Sequence, residues 1–245
     1  MNRTARALAP VAFVAAIAVA GGCTIGSGEG SVTGQLDVPS CWSGNYNLAP
    51  DFFAGVPYRN TDLFIRIQRT GDYPPFADGV AIHVSDIQGV RRQLNAPLTV
   101  SLSPEVTPPG VPVTPDPNPS IVDFALYLQR SCRPETTALY AVKAALANAD
   151  GSCSVGGPVT CGANAEVPSG SKVVTSTITF AHIFNGDPEE PSALERLTEA
   201  TFDVYLADPR DVCPGGVGSP PRCRGHLTGN FKFYFQRGRP AQPFP

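Results

Sequence analysis

Apolar and polar residues alternate with a period of two along much of this chain. Val32, Leu36 and Val38 fall on one side of a first segment, and Leu63, Ile65 and Ile67 alternate with Phe64, Arg66 and Gln68. Val80, Ile82 and Val84 alternate with Ala81, His83 and Ser85, and Leu98, Val100 and Leu102 with Thr99, Ser101 and Ser103. Successive side chains of a strand point to opposite faces, so each pattern predicts a strand with one packed face and one polar or mixed face. Strands of that kind belong to antiparallel sheets covered on one side. Val122, Phe124, Leu126 and Leu128 predict another.

The stretch from Thr137 to Ala149 fits two periods. Leu139, Val142, Leu146 and Ala149 have helical spacing, while Tyr140, Val142, Ala144 and Leu146 have strand spacing. Alanine favours helix intrinsically, but the neighbouring strands and the Asp150-Gly151 turn favour a strand that pairs with Val173 to Phe184. Ser192 to Leu197 predicts one helical turn, with Ser192 as its cap and Glu195 at the third position of a capping box. Gly30 to Val38 aligns without gaps against Gly225 to Phe233, and Ala200 to Val204 follows the same pattern more loosely. This similarity predicts that the first and last strands are sheet neighbours, with Asp37 and Lys232 as a cross-strand charge pair.

Pro and Gly number 26 and 24 of 245 residues, which predicts many turns and few long helices. Seven prolines fall within the sixteen residues from Pro104 to Pro119, a polyproline II stretch that cannot enter a sheet interior. The expected architecture is all-β: one antiparallel β-sandwich over residues 31–236 with long disulfide-pinned loops, followed by a Pro-rich tail, 237–245.

The first 22 residues differ from this body. Arg3 and Arg6 precede an apolar run of 14 residues from Ala7 to Ala20, closed by Gly21, Gly22 and Cys23. A basic start, a short apolar core and a small-residue exit are the parts of a secretory signal peptide, and the run is shorter than the roughly 20 residues a spanning helix needs. The segment Ala20-Gly21-Gly22-Cys23 resembles the lipobox of bacterial lipoproteins. That resemblance implies cleavage before Cys23, lipidation of its sulfur, and a membrane anchor, because several acyl chains hold stably where one does not. By the same resemblance, Thr24 after the cysteine points to the outer membrane of a Gram-negative cell. Residues 23–30 then form the lipidated cysteine and a short tether.

Without Arg3 and Arg6 the chain carries 16 basic against 21 acidic residues, a net −5, which disfavours nucleic acid as a partner. With Cys23 lipidated, Cys41, Cys132, Cys153, Cys161, Cys213 and Cys223 remain, an even number that reads as three disulfides in an oxidising compartment. Closeness in sequence pairs Cys153 with Cys161 and Cys213 with Cys223, and leaves Cys41 for Cys132. No C-x-x-C spacing or adjacent histidine supports a metal, and no phosphate-cradling glycine loop supports a nucleotide, so no cofactor is expected.

Trp42, Tyr46 and Tyr58, with Phe52, Phe53 and Tyr73, form an aromatic-rich segment. Trp and Tyr rings could stack on sugars. The alternative packs Phe52 and Phe53 into the end of the sandwich and Trp42 against the Cys41 disulfide. No G-x-S-x-G or S-x-x-K nucleophile motif is present. His182, in phase with Phe180 and Phe184, reads as an interior or edge histidine; His83 and His226 read as solvated. The acidic turns around Asp187-Glu189-Glu190 and Asp208-Asp211 lack the spacing of a calcium loop. The expected function is that of a non-enzymatic, membrane-anchored envelope protein that binds an envelope protein or polysaccharide. The alternatives are a carbohydrate-binding module using Trp42, Tyr46 and Tyr58, and a hydrolase whose site the sequence does not display.

Overall fold

The computed structural model describes residues 28–39, 41–58, 61–69, 77–101, 120–132, 138–153, 167, 169–187, 189–211 and 219–235, with the side chain of Tyr58 left aside. In chain order the elements are β1 (Gly28–Val38), β2 (Trp42–Leu48), β3 (Phe52–Tyr58), β4 (Asp62–Gln68), β5 (Asp78–Val84), helix α1 (Ile87–Arg91), β6 (Pro97–Thr99) and β7 (Val122–Leu128). There follow β8 (Ala138–Ala141), β9 (Ala145–Asn148), β10 (Ser171–Val174), β11 (Thr177–His182), β12 (Leu197–Ala207) and β13 (Gly225–Tyr234). Among the described residues eleven strands form one antiparallel sheet: nine follow the order β2-β1-β13-β12-β8-β7-β5-β4-β3, with β11 and β6 branching off at β12, while β9 and β10 make a separate hairpin.

One strand joins the two halves of this sheet. β12 pairs with β13 along its whole length on one side, and on the other it shares its edge between β11, from Glu199 to Asp203, and β8, at Leu206 and Ala207. β6 then pairs with β11. Strand twist accumulates across so many strands, and the apolar face must be covered, so the sheet curls until its own halves meet. Phe124 on β7 contacts Phe202 on β12 with ring centroids 4.9 Å apart. Phe53 on β3 stacks on Phe233 on β13 at 5.9 Å. The core between the halves includes Phe53, Phe124, Phe180, Phe184, Phe231 and Phe233, all fully buried. Each such ring contributes about 1.5–3 kcal/mol of hydrophobic stabilisation.

The residues that the alternating pattern points inward are those the core buries: Val32, Leu36, Val38, Leu63, Ile65, Ile67, Val80, Ile82, Val84, Val122, Phe124, Leu126 and Leu128. The first and last strands are neighbours, with Gly30 opposite Phe231 and Leu36 opposite Gly225. Antiparallel pairing runs the two similar segments head to tail, so Asp37 lies far from Lys232. Lys232 instead faces Glu29 on one side and Glu199 on the other, with its Nζ 3.5 Å from the Glu199 carboxylate. Glycine serves close approach here. A Cβ on Gly229 would meet the ring of Phe202 and the carbonyl of Ser31.

Several expectations are corrected. β1 begins at Gly28, so the strand takes in three residues assigned to the tether. Phe52 and Phe53 belong to a strand rather than to a plug, and β2 and β3 both arise within the aromatic-rich segment. The alanine-rich run is extended, as its surroundings require, but as two short strands. β9 pairs with β10, whereas β11, expected in the same hairpin, joins β12 and β6. The turn forms at Leu194–Arg196 with Ala193 rather than Ser192 in the cap position, although Ser192 Oγ accepts from the Glu195 amide at 3.4 Å. Glu195 does not return the bond but reaches Arg91 at 2.7 Å. Helix α1, capped by Asp86 accepting from the Gly89 amide at 2.7 Å, was not expected.

The disulfides require the largest correction. Cys41 is bonded to Cys132, as expected, with their Cα atoms 5.2 Å apart across a sequence separation of 91. Cys153 is bonded to Cys223, with Cα atoms 4.9 Å apart and a separation of 70, which excludes its pairing with Cys161 and that of Cys223 with Cys213. The physical reason is backbone pairing between segments distant in the chain. Leu146 on β9 bridges Arg222 and exchanges backbone hydrogen bonds with Pro221 and Cys223, bringing the hairpin against the entry to β13. Cys161, Cys213, Cys23, the leader, the Pro104–Pro119 stretch and the Pro-rich tail lie outside the described residues.

Candidate functional site

Three groups of side chains have the chemistry to be a site. The first lies across β4, β5 and β7, whose register sets Phe64, His83 and Asp123 in one row. His83 is 5% exposed, a correction to its expected solvation, because its cross-strand neighbours close over it. The ring stacks on Phe64 with centroids 4.2 Å apart and planes within 10°. Its Nδ1 lies 3.2 Å from Asp123 Oδ2, and its Nε2 lies 3.5 Å from Asp62 Oδ2. Thr61 Oγ1 donates to the other oxygen of Asp62 at 2.6 Å. Burial alone would lower the His83 pKa, but the hydrogen bonds and charges of Asp123 and Asp62 outweigh it and the pKa is raised.

Beside this row Arg66 crosses the sheet. Its Nε donates to Gln68 Oε1 at 3.0 Å, and its guanidinium carbon lies 5.1 Å from the centroid of Tyr127. The strand in between, β5, carries Gly79 opposite Gln68 and Ala81 opposite Arg66, and these small residues leave room for the long side chain. Burial, followed by the neighbouring Tyr127, pushes the Tyr140 phenol up to about 12.

In this constellation carboxylates flank the imidazole on both sides. A histidine acting as general base needs one ring nitrogen directed at the group it deprotonates and the other held by an orienting acid. In His83 each nitrogen faces a carboxylate. Among the described residues, none of the three histidines hydrogen-bonds a serine hydroxyl. His182 sits half-buried at a bulge in β11, opposite Glu199.

The second group is the aromatic segment. Trp42 and Tyr46 meet edge to face, with centroids 5.6 Å apart at 70°. Both lie on the inward side of β2. Trp42 is half-buried and packs, with Cys41, against the core. Tyr46 is 4% exposed, which removes its ring from any surface a sugar could reach. Its hydroxyl has no hydrogen-bond partner among the described residues, and burial followed by the charge of Asp78 raises its pKa, against an opposing effect of Arg69. Asp78 also accepts the amides of Arg130 and Ser131 at 2.9 and 3.1 Å, which fixes the turn leading to Cys132. The side chain of Tyr58 lies outside the described residues.

The third group is on the opposite half of the sheet, facing solvent. His226 Nε2 lies 2.6 Å from Asp203 Oδ1, and the imidazole stacks on Tyr205 at 4.2 Å with planes within 2°. His226 is therefore half-buried and paired, not simply solvated. The acidic turns bond within themselves: Asn185 Nδ2 donates to Glu190 at 2.6 Å, and Arg210 Nε to Asp208 at 2.9 Å. Among the described residues no group of three or more His, Cys, Asp or Glu is placed to hold a metal ion. Sequence patterns missed Asp62, Asp123 and Asp203. The one local sign was Asp123, an acid within an otherwise apolar strand. Neither family models, nor curated protein sequences, nor solved structures give a significant match to this chain.

Proposed function

We propose that this chain is an exported, lipid-anchored protein of a bacterial cell envelope, held in the outer membrane by an acylated Cys23, whose β-body binds another envelope component. The observation that carries the reading is the pair of disulfides joining residues 91 and 70 positions apart, since such bonds persist in oxidising compartments outside the cytosol. The leader and its lipobox-like end supply the route there and the anchor. Support for binding over catalysis comes from His83, whose two nitrogens both face carboxylates. β1 starts at Gly28, so only Thr24 to Ser27 separate the anchor from the first strand, at most about 14 Å when extended. The body then works close to its membrane.

The test is fractionation of cells that express the full chain and its Cys23→Ser variant. The full chain is expected to sediment with membranes and to partition into detergent, and the variant to be released in soluble form. Equal sedimentation of the two would refute the anchor.

A further inference from the structure

The solvent-facing side of β12, β13, β1 and β2 is a second site candidate, and it differs in kind from the buried His83 row. The registers put Thr201, Asn230 and Ser31 in one cross-strand row, Asp203, Thr228, Thr33 and Asn47 in the next, and Tyr205, His226, Gln35 and Asn45 in a third. Thr33, Gln35, Asn45, Thr201, Thr228 and Asn230 are exposed. At the far end of β13 stands Tyr234, 38% exposed.

We infer that this face binds a linear, uncharged, hydroxyl-rich polymer, a polysaccharide strand laid along β13. This deepens the reading above by naming the partner and the surface that meets it.

Four observations carry the inference. First, the face carries no excess of positive charge: Glu29, Asp37, Glu199 and Asp203 share the outward side of β1 and β12 with one lysine, Lys232 on β13, which lies 3.5 Å from Glu199, and His226 lies 2.6 Å from Asp203. Such a face has no field to attract phosphates or other anionic partners. Second, the central groups are amides and hydroxyls, which both donate and accept and so match the hydroxyls of a sugar. These rows hold no arginine and no aliphatic side chain, and their one tyrosine, Tyr205, is covered on one face by His226. Third, the groups are held in place before any ligand arrives. Asn230 Nδ2 donates to Ser31 Oγ at 3.3 Å, the Thr33 and Thr228 hydroxyls lie 3.5 Å apart, and the strands beneath are paired on both sides through β1, β13 and β12. Preorganised short side chains lose little entropy on binding. Fourth, aromatic rings mark both ends of the row. Tyr234 offers an accessible apolar ring face of the kind sugars stack on. The Tyr205–His226 stack lies eight residues away along β13, about 27 Å at strand rise, enough for several sugar units.

The experiment is retention of the detergent-purified full chain on insoluble cellulose, insoluble chitin and insoluble β-1,3-glucan, with purified peptidoglycan sacculi, duplex DNA and anionic phospholipid vesicles as charged comparisons. The chain is expected to bind at least one of the three glycans saturably and to stay bound in high salt. Tyr234→Ala and Asn230→Ala should each weaken that binding, Tyr234→Ala by roughly tenfold for the loss of one stacking contact. Val173→Ser, on β10 away from this face, should leave it unchanged. Thermal unfolding of each variant checks that it folds; both test positions are exposed, and either one suffices. Retention on none of the glycans, retention abolished by salt, or retention indifferent to both substitutions would overturn the inference. The Cys23→Ser chain separates the two proposals, because it should leave the membrane yet still bind the glycan.

Discussion

Phe53 and Phe233 stack with centroids 5.9 Å apart, although five strands separate β3 from β13 along the sheet. That contact is the closure of the curled sheet, since nothing in the order of hydrogen-bonded strands brings these two residues together. Both rings are fully buried. Phe53→Ala is expected to lower unfolding stability by about 3–5 kcal/mol through lost transfer energy and the cavity left behind. Denaturant titration measures it, and a loss under about 1 kcal/mol would mean that the two halves of the sheet do not depend on this contact.

The Cys153–Cys223 bond makes a prediction that local pairing does not. Peptide mapping without reduction is expected to recover one disulfide-linked peptide containing Cys153 and Cys223, and another containing Cys41 and Cys132. A Cys153→Ala, Cys223→Ala double variant should lose up to about 4 kcal/mol, the chain-entropy value for a loop of 70 residues. Recovery of Cys153 bonded to Cys161 would contradict the fold around β9 and β13.

His83 gives the stability a pH dependence with a definite sign. Its pKa is raised in the folded state, so its interaction with Asp123 and Asp62 contributes fully below the unfolded value of about 6.5 and is lost as pH rises through the folded value. The difference in thermal midpoint between the natural chain and His83→Gln is therefore expected to be largest in mild acid and to shrink toward alkaline pH. A difference that is flat, or that grows with pH, would show that the imidazole is held neutral between its two carboxylates.

How far the sequence reaches can be seen at individual residues. Val80, Ile82 and Val84 point inward as their alternation requires, but His83 between them is buried too. Alternation identifies which face a residue shares and not whether that face meets water, and here Phe64 and Asp123 on adjacent strands close over it. Tyr46 shows the same limit from the other side. An aromatic-rich segment looks alike whether its rings face a ligand or a core, and only the pairing of β2 with β1 turns this ring inward. The likeness of the first and last strands did announce their adjacency, but the charge partner of Lys232 depended on strand direction, which likeness does not specify.

The sequence by itself determined what depends on neighbours along the chain: extended segments with a side-chain period of two, the inward residues of those segments, the short helical turn after Ser192, and an even set of cysteines behind a leader-like start. Tertiary structure alone decided the order of the strands, the union of Cys153 with Cys223, the carboxylates on both sides of His83, and the gathering of amides and hydroxyls into rows on one face. Each of these joins residues tens to hundreds of positions apart. Such contacts form only when chain entropy is overcome by the burial of one shared core, and no local pattern records which distant segments that core will bring together.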